Sequence, residues 1–289
     1  MTMSRLIILL VVVQTVVSCN RHESPLAVTP SPVPTPAPGP APAPIQNLYG
    51  YVGDTAYRAV VDARVAVIGG PQDGTVLTTN TNGRFFYVGP LSDGISFRAS
   101  KEGYVADTQS PRTSAPGGTP WIYFQLDSVA PPRDIAGEYT LTLVIDEACA
   151  AFPSDVRTRT YEATVTRGLQ RAGRPDSQFK ATLQGASFLD TGRTVLIGVA
   201  GDYAGLEIYN GEGPGIVERV APKTFLAIGA WAGASLGPSP STFSSALNGV
   251  IEYCELKSEM GAVYDCPAYL AVAHYQCESP NNRLILAPR

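Results

Sequence analysis

Five cysteines, two histidines and one Gly-x-Ser-x-Gly pentapeptide are the residues of this 289-residue chain whose types and spacing could do chemistry. Cys19 stands alone near the N-terminus, while Cys149, Cys254, Cys266 and Cys277 all fall in the second half. An even four in one region reads as disulfides if the compartment is oxidising, with three pairings open. Cys254 and Cys266 flank a short loop between two strand-like segments, which suits a local staple. Cys149, after one strand, would then meet Cys277, just before the last. A closed barrel, whose first and last strands are neighbours, would bring those ends together. Four thiolates could instead hold zinc, but the spacing has no Cys-x-x-Cys pair, so no metal is expected.

Gly233-Ala234-Ser235-Leu236-Gly237 fits the nucleophile-elbow pattern, and Asp265 and His274 follow in hydrolase order. An elbow needs a helix after the serine to aim backbone N–H groups at an oxyanion. Pro238-Ser239-Pro240 opposes one. His274 also sits inside the strand-like run Leu270 to Tyr275. A serine hydrolase is therefore the remote reading, and no catalytic residue or enzymatic activity is expected. The Gly-rich runs at 198–201 and 211–215 lack phosphate-loop spacing, and the scattered aspartates lack EF-hand spacing, so no cofactor is expected.

The remaining chemistry is aromatic. Tyr49, Tyr51, Tyr57, Tyr104, Trp121 and Tyr123 could stack on sugar rings if exposed, although most are expected in a core. Tyr57, in the loop-like Asp54-Thr55-Ala56-Tyr57-Arg58, has the best claim to exposure. Tyr57 and Trp121 are the candidate ligand-binding residues. A net charge of −4 gives no footprint for nucleic acid.

The elements that must position these residues begin with an address. Arg5 precedes an apolar run, Leu6 to Val13, too short for the roughly 20 residues of a bilayer span. Val16-Val17-Ser18-Cys19 resembles the lipobox of bacterial lipoproteins. That resemblance implies a signal peptide over residues 1–18, acylation of Cys19 and attachment to a membrane. Asn20, rather than Asp, permits an outer-membrane destination. Residues 19–45 follow as a tether: nine of the 25 prolines lie between Pro25 and Pro44. In polyproline II, at about 3.1 Å per residue, such a segment reaches roughly 80 Å.

Residues 46–128 read as about seven short strands between turns, which indicates a sandwich. Asn82-Gly83 is read as a hairpin turn. Gly50-Tyr51-Val52, Val61 to Val67, Thr79 to Phe85, Gly94 to Ala99 and Lys101-Glu102-Gly103-Tyr104 resemble, in order, the carboxypeptidase regulatory-like domains. That family implies a transthyretin-like fold and an accessory role in exported proteins, without catalytic residues. Its wider fold is similar to that of carbohydrate-binding modules. Residues 134–289 carry about nine further strands, with Tyr139, Leu141, Leu143 and Ile145 on one face. They suggest a closed antiparallel barrel or a larger sandwich.

The whole sequence thus reads as all-β: a membrane-anchored surface protein that binds or builds rather than catalyses, with a glycan the first ligand to test. The alternative is a lipocalin-like carrier of small apolar ligands in the C-terminal domain. Nothing in the sequence identifies a protein partner.

Overall fold

The computed structural model describes residues 45–91, 94–113, 118–168, 177–209, 215–237, 242–257 and 271–289. The signal segment, Cys19, the Pro-rich tether, Asp265 and Cys266 lie outside the described residues.

Seven strands build the N-terminal sandwich: β1 (Ile45–Asp54), β2 (Arg64–Ile68), β3 (Val76–Thr78), β4 (Arg84–Pro90), β5 (Ser96–Ser100), β6 (Asp107–Gln109) and β7 (Trp121–Leu126). They form two sheets, ordered β4-β1-β7 and β3-β2-β5-β6. In the first sheet, β1 runs antiparallel to β4 and parallel to β7. Alternation along each strand turns Leu48, Val52, Phe85, Tyr87, Ile122 and Phe124 inward to meet Val65, Val67, Phe97 and Ala99 of the second sheet. Burying one such large side chain stabilises the fold by about 1.5–3 kcal/mol.

Ten strands follow: β8 (Gly137–Val144), β9 (Thr158–Arg167), β10 (Gln178–Gln184), β11 (Phe188–Ala200), β12 (Tyr203–Ile208), β13 (Ile216–Ala221), β14 (Thr224–Ser235), β15 (Phe243–Leu256), β16 (Ala271–Cys277) and β17 (Arg283–Pro288). They close into an antiparallel barrel with eight places. One place is shared by β12 and β13, both of which lie between β11 and β14. Another is shared by β16 and β17, which pair with opposite ends of β15. The ring closes where β17 pairs with β8, from Arg283 opposite Val144 to Pro288 opposite Tyr139. First and last strands are neighbours, and Cys149 is bonded to Cys277 with their Cα atoms 5.8 Å apart.

The barrel interior is apolar. Leu141, Leu143, Val165, Leu183, Ile197, Leu206, Ile228, Ile251 and Leu284 all point into it and are buried. Outward positions on β8 to β10 are mostly threonine, glutamate, lysine and glutamine.

Four expectations need correction. Asn82-Gly83 makes a tight turn, held by Asn80 Oδ1 accepting from the Asn82 and Arg84 N–H groups. It is not a hairpin, because β3 and β4 belong to different sheets and the turn carries the chain across the sandwich. β6 and β13 were not anticipated. β13 breaks the alternating pattern because Glu218, a charged residue, takes a buried place on it. Tyr49, Trp121 and Tyr123 of β1 and β7 are not core residues. Inward alternation of Leu48, Val52, Ile122 and Phe124 forces Tyr49 (57% exposed), Trp121 and Tyr123 (each 40%) onto the outer face. Lastly, the loop carrying Tyr57 is only partly open to solvent: Asp54, Thr55 and Ala56 are buried against the barrel, while Tyr57 and Arg58 are half-buried.

Candidate functional site

The buried loop is where the two β units meet, and it creates the candidate site. On β11 and β12 the odd-numbered and even-numbered residues that fill the barrel leave Gly198 and Gly205 on the outer wall, directly opposite each other. A Cβ on Gly198 would fall on the Thr55 carbonyl, and one on Gly205 on the Ala56 carbonyl. The absence of both side chains lets the sandwich loop lie flat on the wall. Hydrogen bonds fix it there. The Thr55 hydroxyl donates to the Val199 carbonyl at 2.8 Å, and Gln178 Nε2 donates to the Thr55 carbonyl at 3.1 Å.

Asp54 organises the rest of the loop. Its fully buried carboxylate accepts from the Ala56 and Arg58 backbone N–H groups, both at 2.9 Å. It also accepts from Arg58 Nε at 2.8 Å and from the Tyr104 hydroxyl at 3.3 Å. Burial, and next the Asp54 charge, push the Tyr104 hydroxyl above the usual tyrosine range, so it stays a donor. Held by Asp54, the Arg58 guanidinium lies over the Tyr203 ring, 4.2 Å from its centre. Tyr57, between them, adopts φ 63°. Left-handed backbone costs a non-glycine residue on the order of 1 kcal/mol or more and persists only where neighbours enforce it. Here the Asp54 bonds do so, and the Tyr57 hydroxyl donates to Gln178 Oε1 at 3.3 Å.

Between loop and wall lies a cleft of about 410 Å³, lined on the sandwich side by Tyr51, Tyr57, Arg58 and Tyr123, and on the barrel side by Tyr203, Glu207, Trp231 and Asn248. Its size falls in the roughly 300–1,000 Å³ range of small-ligand sites. The register explains the barrel wall: Trp231 pairs with Glu207 on one side and with Asn248 on the other. All three therefore point outward as one row. Trp231 is 58% exposed and Tyr209 packs against it at 5.7 Å. Tyr51 and Tyr123 stack in parallel, 5.6 Å apart. Burial raises the Glu207 carboxyl above the usual glutamate range and the Tyr51 hydroxyl above the usual tyrosine range.

This arrangement offers flat aromatic faces beside a cation, a carboxyl and an amide. Rings of that kind pack on the C–H face of a sugar, and the polar groups exchange hydrogen bonds with its hydroxyls. Glycoside hydrolysis uses two carboxyl groups across the scissile bond, and the described lining supplies Glu207 alone.

The structure separates the other sequence candidates. Tyr57 lines this cleft, whereas Trp121 lines a neighbouring hollow. Ser235 is the exposed last residue of β14, not the tip of an elbow, while Gly233 of the same pentapeptide forms cleft floor beneath Tyr203. His274 pairs with Cys254, while Ala232, close to Ser235, pairs with Leu247. At about 3.3 Å per residue along β15, serine and histidine stand more than 20 Å apart, so they form no dyad. The Nε2 atom of His274 is buried, 3.8 Å from the Glu252 carboxylate. Cys254 is buried in β15, and its expected partner Cys266 lies outside the described residues. Sequence reasoning missed Glu207, Trp231 and Tyr203. Their signal was the row of outward residues between inward apolar ones on β12 and β14, which only register turns into a site.

No protein-family model matches the sequence, and no curated protein matches it. Among solved structures, the chain is similar to the major pilin subunit of Bacillus cereus, at 10% identity and a TM-score of 0.23, over 82% of this chain and 96% of that one.

Proposed function

We propose that the chain is an exported bacterial lipoprotein, held to the membrane through Cys19, that binds carbohydrate in the aromatic cleft without turning it over. The observation that carries this reading is the cleft itself. Tyr51, Tyr57, Tyr123, Tyr203 and Trp231 surround one polar trio of Arg58, Glu207 and Asn248. The loop backbone is held in a strained shape to build it. The lipobox-like Val16-Val17-Ser18-Cys19 and the Pro-rich segment support anchoring and display away from the bilayer.

The apolar-carrier reading loses support from the barrel interior. Among the described residues its inward side chains are buried in one cluster, and the void between Ile135, Tyr139, Leu236 and Phe243 is about 10 Å³. That is room for about one water molecule, not a ligand.

A glycan array probed with the full chain tests the proposal, with Trp231→Ala as its partner. Binding to a defined glycan that Trp231→Ala weakens by about tenfold or more is the expected result. An array without any bound glycan overturns the reading. Anchoring is tested by metabolic labelling with a fatty acid: label is expected on the parent chain and lost in Cys19→Ala.

A further inference from the structure

We propose that the ligand is a linear polysaccharide, whose chain runs out of the cleft and continues over the outer face of the β4-β1-β7 sheet. This deepens the carbohydrate reading and rests on it. Tyr123 carries the argument, because it lines two depressions. One is the cleft, and the other is a hollow of about 120 Å³ that it shares with Trp121, Asp107, Gln109, Arg112 and Gln125. Trp121 and Tyr123 are alternate residues of one strand, so their outward side chains stand about 7 Å apart on the same face.

The parallel register widens this into a strip. Tyr49 lies beside Trp121, and Tyr51 beside Tyr123. Phe86 pairs with Tyr49 across the antiparallel side, their rings 4.9 Å apart. Starting from Trp231 and Tyr203, aromatic rings therefore continue through the Tyr51–Tyr123 stack to Trp121, Tyr49 and Phe86. A monosaccharide or disaccharide would occupy one depression and leave the other unused. A polymer of sugar rings places successive units on successive aromatic faces.

The composition of the second hollow favours sugar over a protein partner. The centre of a protein interface is depleted of charge. This hollow instead surrounds its tryptophan with Asp107, Arg112 and two glutamines, the mixture of donors and acceptors that hydroxyl groups need. It repeats, one strand away, the pairing of aromatic face with charged and amide groups seen around Trp231.

Calorimetric titration of the full chain compares short and long members of three series: cellobiose with cellohexaose, chitobiose with chitohexaose, and maltose with maltohexaose. In at least one series the hexamer is expected to bind about tenfold or more tightly than the dimer. Trp121→Ala should abolish that gain, and Trp121→Tyr should retain most of it. Trp231→Ala should weaken both lengths, which separates the cleft from its extension. Matching thermal melts show that each variant is folded.

Equal affinity for dimer and hexamer in every series overturns the polymer inference but leaves the cleft reading intact. A length gain that survives Trp121→Ala in a folded variant does the same. Self-association seen by sedimentation velocity and lost in Trp121→Ala assigns the strip to a second copy and overturns the inference. No binding in any series overturns both readings.

Discussion

Glu218 is a carboxylate inside an apolar barrel, and two side chains make it tolerable. Arg159 meets it with two nitrogens, Nε lying 3.0 Å from Oε2, and the Tyr161 hydroxyl donates to Oε2 at 2.8 Å. Burial is the main cause that lifts the Tyr161 hydroxyl far above the usual tyrosine range, with the Glu218 charge second. The phenol is thus locked as a donor. The strength of the arrangement lies in what removal would leave behind. Glu218→Ala strands a buried tyrosine hydroxyl and an arginine that is only partly open to water, and it should cost about 3 kcal/mol. Replacing the pair together, as Arg159→Leu with Glu218→Leu, should recover most of that loss, because neither desolvated charge remains. Urea denaturation of the single and double variants checks both outcomes. A double variant as unstable as the single one would mean that the ion pair itself, not the unpaired remainder, sets the cost.

At the scale of elements, the barrel is closed by two short strands, β8 and β17, and the Cys149–Cys277 bond ties the loop after β8 to the end of β16, just ahead of β17. Asp146, just after β8, reinforces the tie. It accepts from Ser279 and from Asn281 Nδ2 at 3.1 Å, while its backbone N–H donates to Asn282 Oδ1 at 2.9 Å. The cysteines are 128 residues apart, so the cross-link restricts an unfolded loop spanning nearly the whole barrel. Chain entropy alone puts its worth at about 5 kcal/mol, an upper figure. Cys149→Ala with Cys277→Ala should therefore lower the denaturation midpoint strongly and release the β17 end first. Hydrogen exchange across residues 283–288 would report that release. An exchange pattern loosened evenly over the barrel would contradict it. This closure was legible in the sequence, since strands with clean alternation such as Gly137 to Ile145 announce their faces and an even set of cysteines announces cross-links. β13 was not legible, because periodicity cannot tell a buried, paired glutamate from an exposed one. The aromatic face was misread for a related reason. Alternation fixes that Tyr49 and Tyr51 share a side with each other, but which side is inward depends on the sheet packed across from it.

At the scale of the whole molecule, the site exists because two separately cored β units meet at a glycine pair. The sandwich core and the barrel core share no residue. What joins them is the loop from Asp54 to Arg58 lying on Gly198 and Gly205, and both sides of that contact contribute to the cleft lining. Nothing in either unit alone specifies the junction, which is why no motif marked it. Gly205→Val separates joining from folding. The position faces outward, so the barrel interior is untouched, yet the new side chain takes the space of the Ala56 carbonyl. Overpacking of this kind costs about 1–3 kcal/mol if the contact is kept. The loop is the softer partner and should lift instead. The Arg58–Tyr203 contact would then be lost and the cleft opened. The expected outcome is a variant with near-parental strand content and faster hydrogen exchange at residues 54–58. Glycan affinity should fall as far as it does in Trp231→Ala. Gly237→Ala, whose added Cβ meets no atom of the described residues within 4 Å, should do none of this. Parental affinity in Gly205→Val together with accelerated exchange in the loop would show that the ligand does not need the two units joined, and would move the site wholly onto one of them.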